Sequence, residues 1–141
     1  MKSKTKGDVT ELMVIASLIK LGCIVSVPYG EGSKYDLIAD FKGKLIKIQC
    51  KTSRISKCEN AIVFNTCAVH KNMNSCVREV YGQSDIDLFA TYWDGVCYLI
   101  PLAKTKKATF SLRLAPCKQG QTKNVNLANE YKAEAILNML T

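Results

Sequence analysis

The sequence lacks any apolar run long enough to cross a membrane, and it has no internal repeat, linker or low-complexity segment. The apolar stretch from Leu12 to Ile19 is far shorter than the roughly 20 residues that a membrane-spanning helix needs. Lys2, Lys4 and Lys6 precede it as in a signal peptide, but no small-residue cleavage site follows at a suitable distance. These absences predict a cytoplasmic protein without a membrane partner, folded as one domain over residues 1–141.

The seven cysteines are odd in number and include no Cys-x-x-Cys pair. In a cytoplasmic protein this pattern is typical of reduced thiols, several of which are small core residues. One alternative is a zinc site of three cysteines and one histidine, formed by Cys58, Cys67, His70 and Cys76. The outer spacings are loose for such a site, and a loop position for His70, the only histidine, is the simpler interpretation.

Acidic residues are scarce, with 12 against 20 basic residues, a net charge of +8 and a pI of about 9.2. The segment from Gly95 to Ala128 has no acidic residue at all. Its basic residues are Lys104, Lys106, Lys107, Arg113, Lys118 and Lys123. This charge indicates an anionic partner, for which nucleic acid is the usual candidate. The apolar fraction of 48% is typical of a globular protein rather than a disordered one.

The clearest structural signal is a β-hairpin between Lys34 and Thr52. Its turn is Lys42-Gly43, where glycine supplies the positive φ that a two-residue hairpin turn needs. Side chains alternate between two faces of such a hairpin. The apolar face, which predicts core, carries Leu37, Ala39, Phe41, Ile46, Ile48 and Cys50. The opposite face brings together a carboxylate, an amide and an ammonium group, from Asp36, Gln49 and Lys51.

Other elements surround this hairpin. A helix is expected from Thr5 to Leu21 with Gly22 as its C-terminal cap, buried on most sides because its second half is apolar. Glu11 in this helix is either an exposed charge in the first turns or a side chain directed at the polar face of the hairpin. The further predicted strands and the closing helix are Cys23–Pro28, Asn60–Thr66, Asp85–Trp93, Val96–Leu102, Thr109–Leu114 and the helix Leu127–Leu140. Residues 68–83 have no clear period and allow a short helix or an irregular loop.

The polar residues form the pattern Glu11…Asp36-x12-Gln49-Cys50-Lys51. It resembles the PD-(D/E)XK nuclease superfamily, and within it the group I intron-encoded (homing) endonucleases and the archaeal Holliday-junction resolvases. Tyr35 stands where the family often has proline, and Gln49 replaces the usual second acidic residue. The stretches IQCKTSR and DIDLFATYW…CYLIP are also similar to the intron-encoded group. The resemblance covers about residues 7–102 and implies an α/β, restriction-endonuclease-like core, with a mixed central sheet flanked by an N-terminal and a C-terminal helix.

The resemblance implies a DNA endonuclease that hydrolyses phosphodiester bonds with Mg²⁺, for which Mn²⁺ can substitute. Asp36 is then the central metal ligand, assisted by the amide oxygen of Gln49 and the backbone carbonyl of Cys50. Glu11 binds a second metal ion or holds a water molecule. Lys51 orients the attacking water and stabilises negative charge that develops on the phosphate. With two carboxylates instead of three, a catalytically inactive DNA-binding protein of the same fold is the alternative.

Positions after and before the hairpin strands are expected to contact DNA phosphates: Lys34, Ser53, Arg54 and Lys57. Arg78 and Tyr81 either contact DNA or hold a loop in place. A chain with one site cuts one strand, so a homodimer or homotetramer is expected. Its interface would use apolar residues of the second hairpin and the last helix: Phe89, Tyr92, Trp93, Tyr98, Ile100, Leu137, Met139 and Leu140.

Overall fold

The computed structural model describes residues 1–72, 75–115 and 125–141, with side chains for all of these except residues 68–72 and 75–79. Two α-helices lie in the described part, α1 (Ser3–Lys20) and α2 (Ala133–Met139). The strands, in chain order, are β1 (Ile24–Ser26), β2 (Leu37–Phe41), β3 (Lys44–Cys50), β4 (Arg54–Ile55), β5 (Ala61–Asn65), β6 (Cys67–Asn72), β7 (Ser75–Val80), β8 (Leu88–Trp93), β9 (Val96–Pro101) and β10 (Thr109–Arg113). No helix among these residues is long and apolar enough to cross a membrane.

The helix α1 ends as its sequence predicts. Gly22 has a φ of 95°, and its N–H donates to the carbonyl of Ile19 at 3.0 Å. The N–H of Cys23 donates to the carbonyl of Leu18 at 3.0 Å. These two bonds close the last turn in the way that a glycine cap allows, because glycine adopts a positive φ without steric cost.

The prediction that α1 is buried on most sides is wrong. Thr10, Val14 and Leu18 are its buried residues, whereas Leu12 is 64% exposed and Ile19 is 55% exposed. The helix packs against one face of a sheet, through β1, β3, β8 and β9. Only one stripe of a helix can face a single sheet, so the apolar residues on its other side remain exposed.

The central sheet has five strands in the order β1-β2-β3-β8-β9. The pair β3–β8 is parallel and the other three pairs are antiparallel, so the sheet is mixed. With helices at both ends of the chain, this is the α/β architecture that the sequence predicts. Its β2–β3 hairpin has the predicted register, from Leu37 opposite Ile48 to Phe41 opposite Lys44. The turn residues Lys42 and Gly43 have φ of 52° and 87°.

The second hairpin, β8–β9, is also in the predicted place. Its pairing runs from Leu88 opposite Pro101 to Trp93 opposite Val96, around an Asp94-Gly95 turn with positive φ at both residues. A second sheet, of three strands in the order β10-β5-β4, contains the predicted edge strand. The two sheets meet in the core, where the ring of Phe64 lies 5.8 Å from Phe89 and 5.7 Å from Phe110.

Two expectations about other segments are corrected. The segment after Thr66 is neither a short helix nor an irregular loop, since β6 and β7 pair as an antiparallel hairpin. The closing helix is interrupted, because Lys132 has an extended ψ of 141° between a 3₁₀ turn and α2. Four of the apolar residues expected at a subunit interface are core residues: Phe89, Tyr98, Ile100 and Leu137. A domain of this size needs them to fill its own interior.

Candidate active site

Asp36 and Lys51 lie at the end of the β2–β3 hairpin that is remote from its turn. Asp36 directly precedes β2, and its N–H donates to the carbonyl of Ile48 at 2.9 Å. Lys51 directly follows β3, and its N–H donates to the carbonyl of Ala90 at 2.8 Å. Hydrogen bonds to the sheet therefore fix both backbones, although neither residue is part of a strand.

The carboxylate of Asp36 is fixed by the backbone of β3. Its Oδ2 accepts a hydrogen bond from the N–H of Cys50 at 2.8 Å. Burial raises the pKa of Asp36, and the Cys50 N–H and the charge of Lys51 oppose that rise. The carboxylate is thus held in place by a bond that stabilises its ionised form, in surroundings that on balance disfavour the charge.

Glu11 lies beside Asp36. Burial raises the pKa of Glu11 first, and the charges of Asp36 and Asp8 raise it further. A hydrogen bond of 3.1 Å between the hydroxyl groups of Thr10 and Thr52 ties α1 to the residue that follows Lys51. Because α1 begins at Ser3, Glu11 lies beyond the first turn, and the interpretation as a helix-terminus charge is wrong.

The ammonium group of Lys51 is held from the opposite side of the sheet. Its Nζ donates to the carbonyl of Cys67 at 3.4 Å and lies 3.5 Å from the hydroxyl of Tyr81. It also lies 5.1 Å from the centroid of the Tyr81 ring. Burial lowers the pKa of Lys51, while Cys67 and Asp36 act in the opposite direction.

Asp36 interacts electrostatically with the charged groups on both sides of this cluster. Its charge acts on Glu11, which belongs to the helix on one face of the sheet, and on the pKa of Lys51 near the other face. The structure therefore places two carboxylates and one ammonium group at the end of β3. This is the combination that phosphoryl-transfer sites use, since negative charge must be balanced at the phosphate and a water molecule must be oriented.

Gln49 and Cys50 complete the predicted set. Gln49 is partly buried and pairs with Phe89 across the parallel strands, and its side chain makes no hydrogen bond within the described residues. Burial and the charges of Asp36 and Glu11 raise the pKa of the Cys50 thiol well above its usual value. A thiolate at Cys50 is therefore disfavoured, which leaves its backbone carbonyl as the group able to bind a cation.

The donor set suits a cation that prefers oxygen ligands. Among the described residues, no three of histidine, cysteine, aspartate and glutamate are arranged to hold a metal ion. Glu11 and Asp36 nevertheless form a carboxylate pair in which one charge raises the pKa of the other. A divalent cation between them would remove this repulsion, and Mg²⁺ commonly binds through one or two carboxylates together with waters and phosphate oxygens.

The carboxylate pair opens onto a cleft of about 310 Å³. The loop between β1 and β2 forms its wall, with Gly30 and Gly32 in positive-φ conformations. Glu11 and Asp36 also line it. The carboxylates are thus accessible from solvent, as a metal ion and a large substrate require.

The residues predicted to contact DNA have different environments. Arg54 and Lys57 are exposed beyond β3, and Lys34 is partly buried before Asp36. Ser53 is buried, and its hydroxyl lies 2.6 Å from the hydroxyl of Thr91, which has no exposed surface. The side chain of Ser53 is thus directed into the core and is less available to a phosphate than the exposed Arg54 and Lys57.

The alternative zinc site has no support among the described side chains. Cys58 is exposed and Cys67 is buried, and the side chains of His70 and Cys76 lie outside the described residues. The side chain of Arg78 also lies outside them, as do Cys117, Lys118 and Lys123. The described cysteines form no disulfide.

Tyr81 is a residue of this site that sequence reasoning did not place there. It is 9% exposed, and it contacts Lys51 through both its ring and its hydroxyl. It lies within the segment without a clear period, residues 68–83, whose sequence gave no sign of a β-hairpin that returns the chain to Lys51. Only the pairing of β6 with β7 brings Tyr81 to this position.

Two comparisons with known proteins found a match. Residues 1–134 match the PD-(D/E)XK endonuclease family. A solved structure of a bacterial homing endonuclease, I-Ssp6803I, aligns with a TM-score of 0.83 and 24% sequence identity, over 99% of this chain and 95% of that chain. At this identity the likeness shows a shared fold. No curated protein matches the chain.

Proposed function

The chain belongs to the PD-(D/E)XK endonuclease family, and on that basis we propose that it hydrolyses phosphodiester bonds in DNA with the help of Mg²⁺. The observation that carries this proposal is the position of Asp36, whose charge acts on both Glu11 and Lys51 at the end of β3. Mn²⁺ is expected to substitute, because it accepts the same oxygen ligands. The nuclease domain comprises residues 1–141.

Four groups of this chain would hold the metal ion. Asp36, whose carboxylate accepts a hydrogen bond from the Cys50 N–H, would hold it, and Glu11 would complete the carboxylate pair. The backbone carbonyl of Cys50 and the amide oxygen of Gln49 are the neutral ligands. When bound, the ion supplies Lewis-acid chemistry, since it polarises the phosphoryl group and acidifies a water molecule.

Lys51 supplies the positively charged hydrogen-bond donor of the site. Its Nζ is fixed by the Cys67 carbonyl and the Tyr81 ring, so that the ammonium group is near Asp36 before substrate binds. From there it donates a hydrogen bond to the attacking water or to a phosphate oxygen that gains negative charge. A preorganised donor of this kind stabilises the transition state more than the ground state.

The homing-endonuclease type has more support than the junction-resolvase type. The bacterial homing endonuclease I-Ssp6803I shares the fold over nearly the whole of both chains. We therefore expect duplex DNA to be a better substrate than a four-way junction. Arg54 and Lys57, exposed beyond the catalytic strand, and Lys34 before Asp36 are proposed to contact its phosphates.

The second candidate function is DNA binding without cleavage. The observation in its favour is Gln49, which leaves the site with two carboxylates and lower affinity for a cation. The two functions differ in one measurement, since only the nuclease converts DNA to shorter products when Mg²⁺ is added.

We also propose that the chain acts as a homodimer or homotetramer. One chain carries one site, and cutting both strands of a duplex requires two sites related by a two-fold axis. Since several of the expected interface residues are core, the contact would use exposed apolar residues such as Leu12, Ile24 and Met139. Light scattering that shows a monomer with and without DNA would contradict this proposal.

The decisive experiment compares linear duplex, supercoiled plasmid and four-way junction, each with Mg²⁺ and with EDTA. Asp36→Asn and Lys51→Met should abolish cleavage while DNA binding persists. Asp40→Asn and Lys47→Met are matched controls, because both residues lie on the same hairpin face four positions away from Asp36 and Lys51. Cleavage in EDTA, or equal losses in the control variants, would contradict the proposed mechanism.

A further inference from the structure

The two contacts of the Lys51 ammonium group come from the two ends of one β-hairpin. Cys67, whose carbonyl accepts from Nζ, is the first residue of β6. Tyr81, whose hydroxyl and ring face Nζ, directly follows the last residue of β7. The base of the β6–β7 hairpin therefore forms a holder for this ammonium group, although the hairpin is not part of the central sheet.

Tyr81 is itself rigidly held. Its ring meets Phe89 edge to face, with 5.5 Å between centroids and an angle of 87° between planes. Phe89 has no exposed surface and also packs on Phe64. Edge-to-face contacts of this kind define ring orientation, so the core sets the direction of the Tyr81 face.

The position of a lysine ammonium group needs such restraints more than that of most catalytic groups. Its ammonium group is attached through four rotatable carbons, and it is a point charge without a preferred plane. The hydrogen-bond contacts of Nζ are long, at 3.4 and 3.5 Å, whereas the ring centroid at 5.1 Å lies within the range of a cation–π interaction. Because Nζ lies nearer to the hydroxyl than to the ring centroid, the Tyr81 hydroxyl and the ring edge that carries it restrain the ammonium group together.

We propose that Tyr81 is a positioning residue for the nuclease reaction, which it affects by holding the Lys51 ammonium group at its hydroxyl and the adjoining ring edge, beside Asp36. This inference rests on the proposed function, in which Lys51 acts on the phosphate or the water. Tyr81 itself touches neither. Its side chain should thus contribute to turnover and contribute little to DNA affinity.

Three variants test the proposal. Tyr81→Leu removes both ring and hydroxyl, whereas Tyr81→Phe keeps the ring. Tyr131→Leu is the matched control: Tyr131 is 8% exposed and meets Phe110 edge to face at 5.8 Å, like Tyr81 with Phe89, but its hydroxyl bonds to Asn126. It therefore reports the cost of losing a buried tyrosine away from Lys51.

The kinetic readout is the separation of kcat from KM for duplex cleavage with saturating Mg²⁺. Tyr81→Leu should lower kcat about tenfold or more, which corresponds to about 1.4 kcal/mol in the barrier, with KM for DNA within about twofold of wild type. Tyr81→Phe should also lower kcat, because it removes the hydroxyl that lies next to Nζ. If Tyr131→Leu lowers kcat as much as Tyr81→Leu does, or if Tyr81→Phe turns over like wild type, the proposal is overturned.

A spectroscopic readout needs no cleavage. The Lys51 ε-methylene and ammonium resonances, which Lys51→Met identifies by their loss, should move in Tyr81→Phe and in Tyr81→Leu, because both variants remove the hydroxyl contact. They should stay in place in Tyr131→Leu. Lys51 resonances that do not move in the Tyr81 variants overturn the positioning role, whereas resonances that move in a protein that does not cleave DNA overturn the proposed function and uphold the contact.

Discussion

The Asp36 carboxylate is expected to be required for cleavage, whereas its ionisation is expected to lower the stability of the fold. Two substitutions separate these effects. Asp36→Asn removes the charge but keeps an oxygen that can accept the hydrogen bond from the Cys50 N–H. Asp36→Ala removes the charge and the acceptor together. Both variants should lose cleavage, because neither supplies a carboxylate to the metal ion.

The difference in stability between the variants follows from that single hydrogen bond. Both lose the same charge, so the comparison of Asn with Ala isolates the bond to Cys50, which is 2.8 Å long and partly buried. Leaving such a donor without a partner costs about 1–3 kcal/mol. For a chain of this length the melting temperature should differ by about 3–5 °C for each kcal/mol.

The comparison of Asp36→Asn with wild type depends on pH. Because burial raises the pKa of Asp36 in the folded state, ionisation of this group at neutral pH destabilises the fold relative to the unfolded chain. Asp36→Asn should therefore be at least as stable as wild type at neutral pH. As the pH falls through the raised pKa, wild type becomes protonated, regains stability, and the advantage of the variant disappears.

Thermal and urea unfolding of the three proteins, at neutral pH and at decreasing pH, is the assay. Two results would refute the reasoning. If Asp36→Asn is markedly less stable than wild type at neutral pH, the ionised carboxylate stabilises the folded state, and its surroundings do not disfavour the charge. If Asn and Ala unfold alike, the bond to the Cys50 N–H contributes nothing.

Three further predictions concern the metal ion and the substrate. Glu11→Gln should lower the cleavage rate and raise the Mg²⁺ concentration required, with little change in a thermal melt; an unchanged rate would remove Glu11 from the site. Gln49→Glu should lower the Mg²⁺ concentration required, because a third carboxylate strengthens cation binding; a titration that shows no shift would exclude Gln49 as a ligand. Neutralising the exposed Lys104, Lys106 and Lys107 together should flatten the salt dependence of DNA binding. The slope of the logarithm of the binding constant against the logarithm of the salt concentration should fall by about 0.9 for each phosphate that these side chains neutralise in the wild type. An unchanged slope would place these lysines away from DNA.

Local patterns in the sequence were sufficient for the two main hairpins. A two-residue turn with glycine fixes the register, and alternation then assigns each side chain to a face. The ladder from Leu37 opposite Ile48 to Phe41 opposite Lys44 is the result. Asp36, Gln49 and Lys51 could be predicted to lie at the same end of the hairpin for the same reason, since their positions depend on contacts that are close in sequence.

Features that depend on distant contacts were not predictable in this way. Composition could not show that α1 meets a sheet on one side only, which leaves Leu12 exposed. Ser53 is polar and lies beside exposed Arg54, yet Thr91 in β8 draws its hydroxyl inward. The role of Tyr81 needs β6 and β7 to pair, and their sequences carry neither clear alternation nor a glycine turn.

The site forms where regular pairing of the central hairpin stops. The ladder between β2 and β3 ends at Leu37 and Ile48, but β3 continues to Cys50 along its parallel partner β8. The Cys50 N–H consequently has no backbone partner in β2, and the Asp36 carboxylate supplies one. This hydrogen bond keeps the Asp36 carboxylate in place, although the negative charge of Glu11 is close to it. The fold thus maintains a repulsive pair of carboxylates at the mouth of a cleft, and binding of a divalent cation between them is the change that would relieve it.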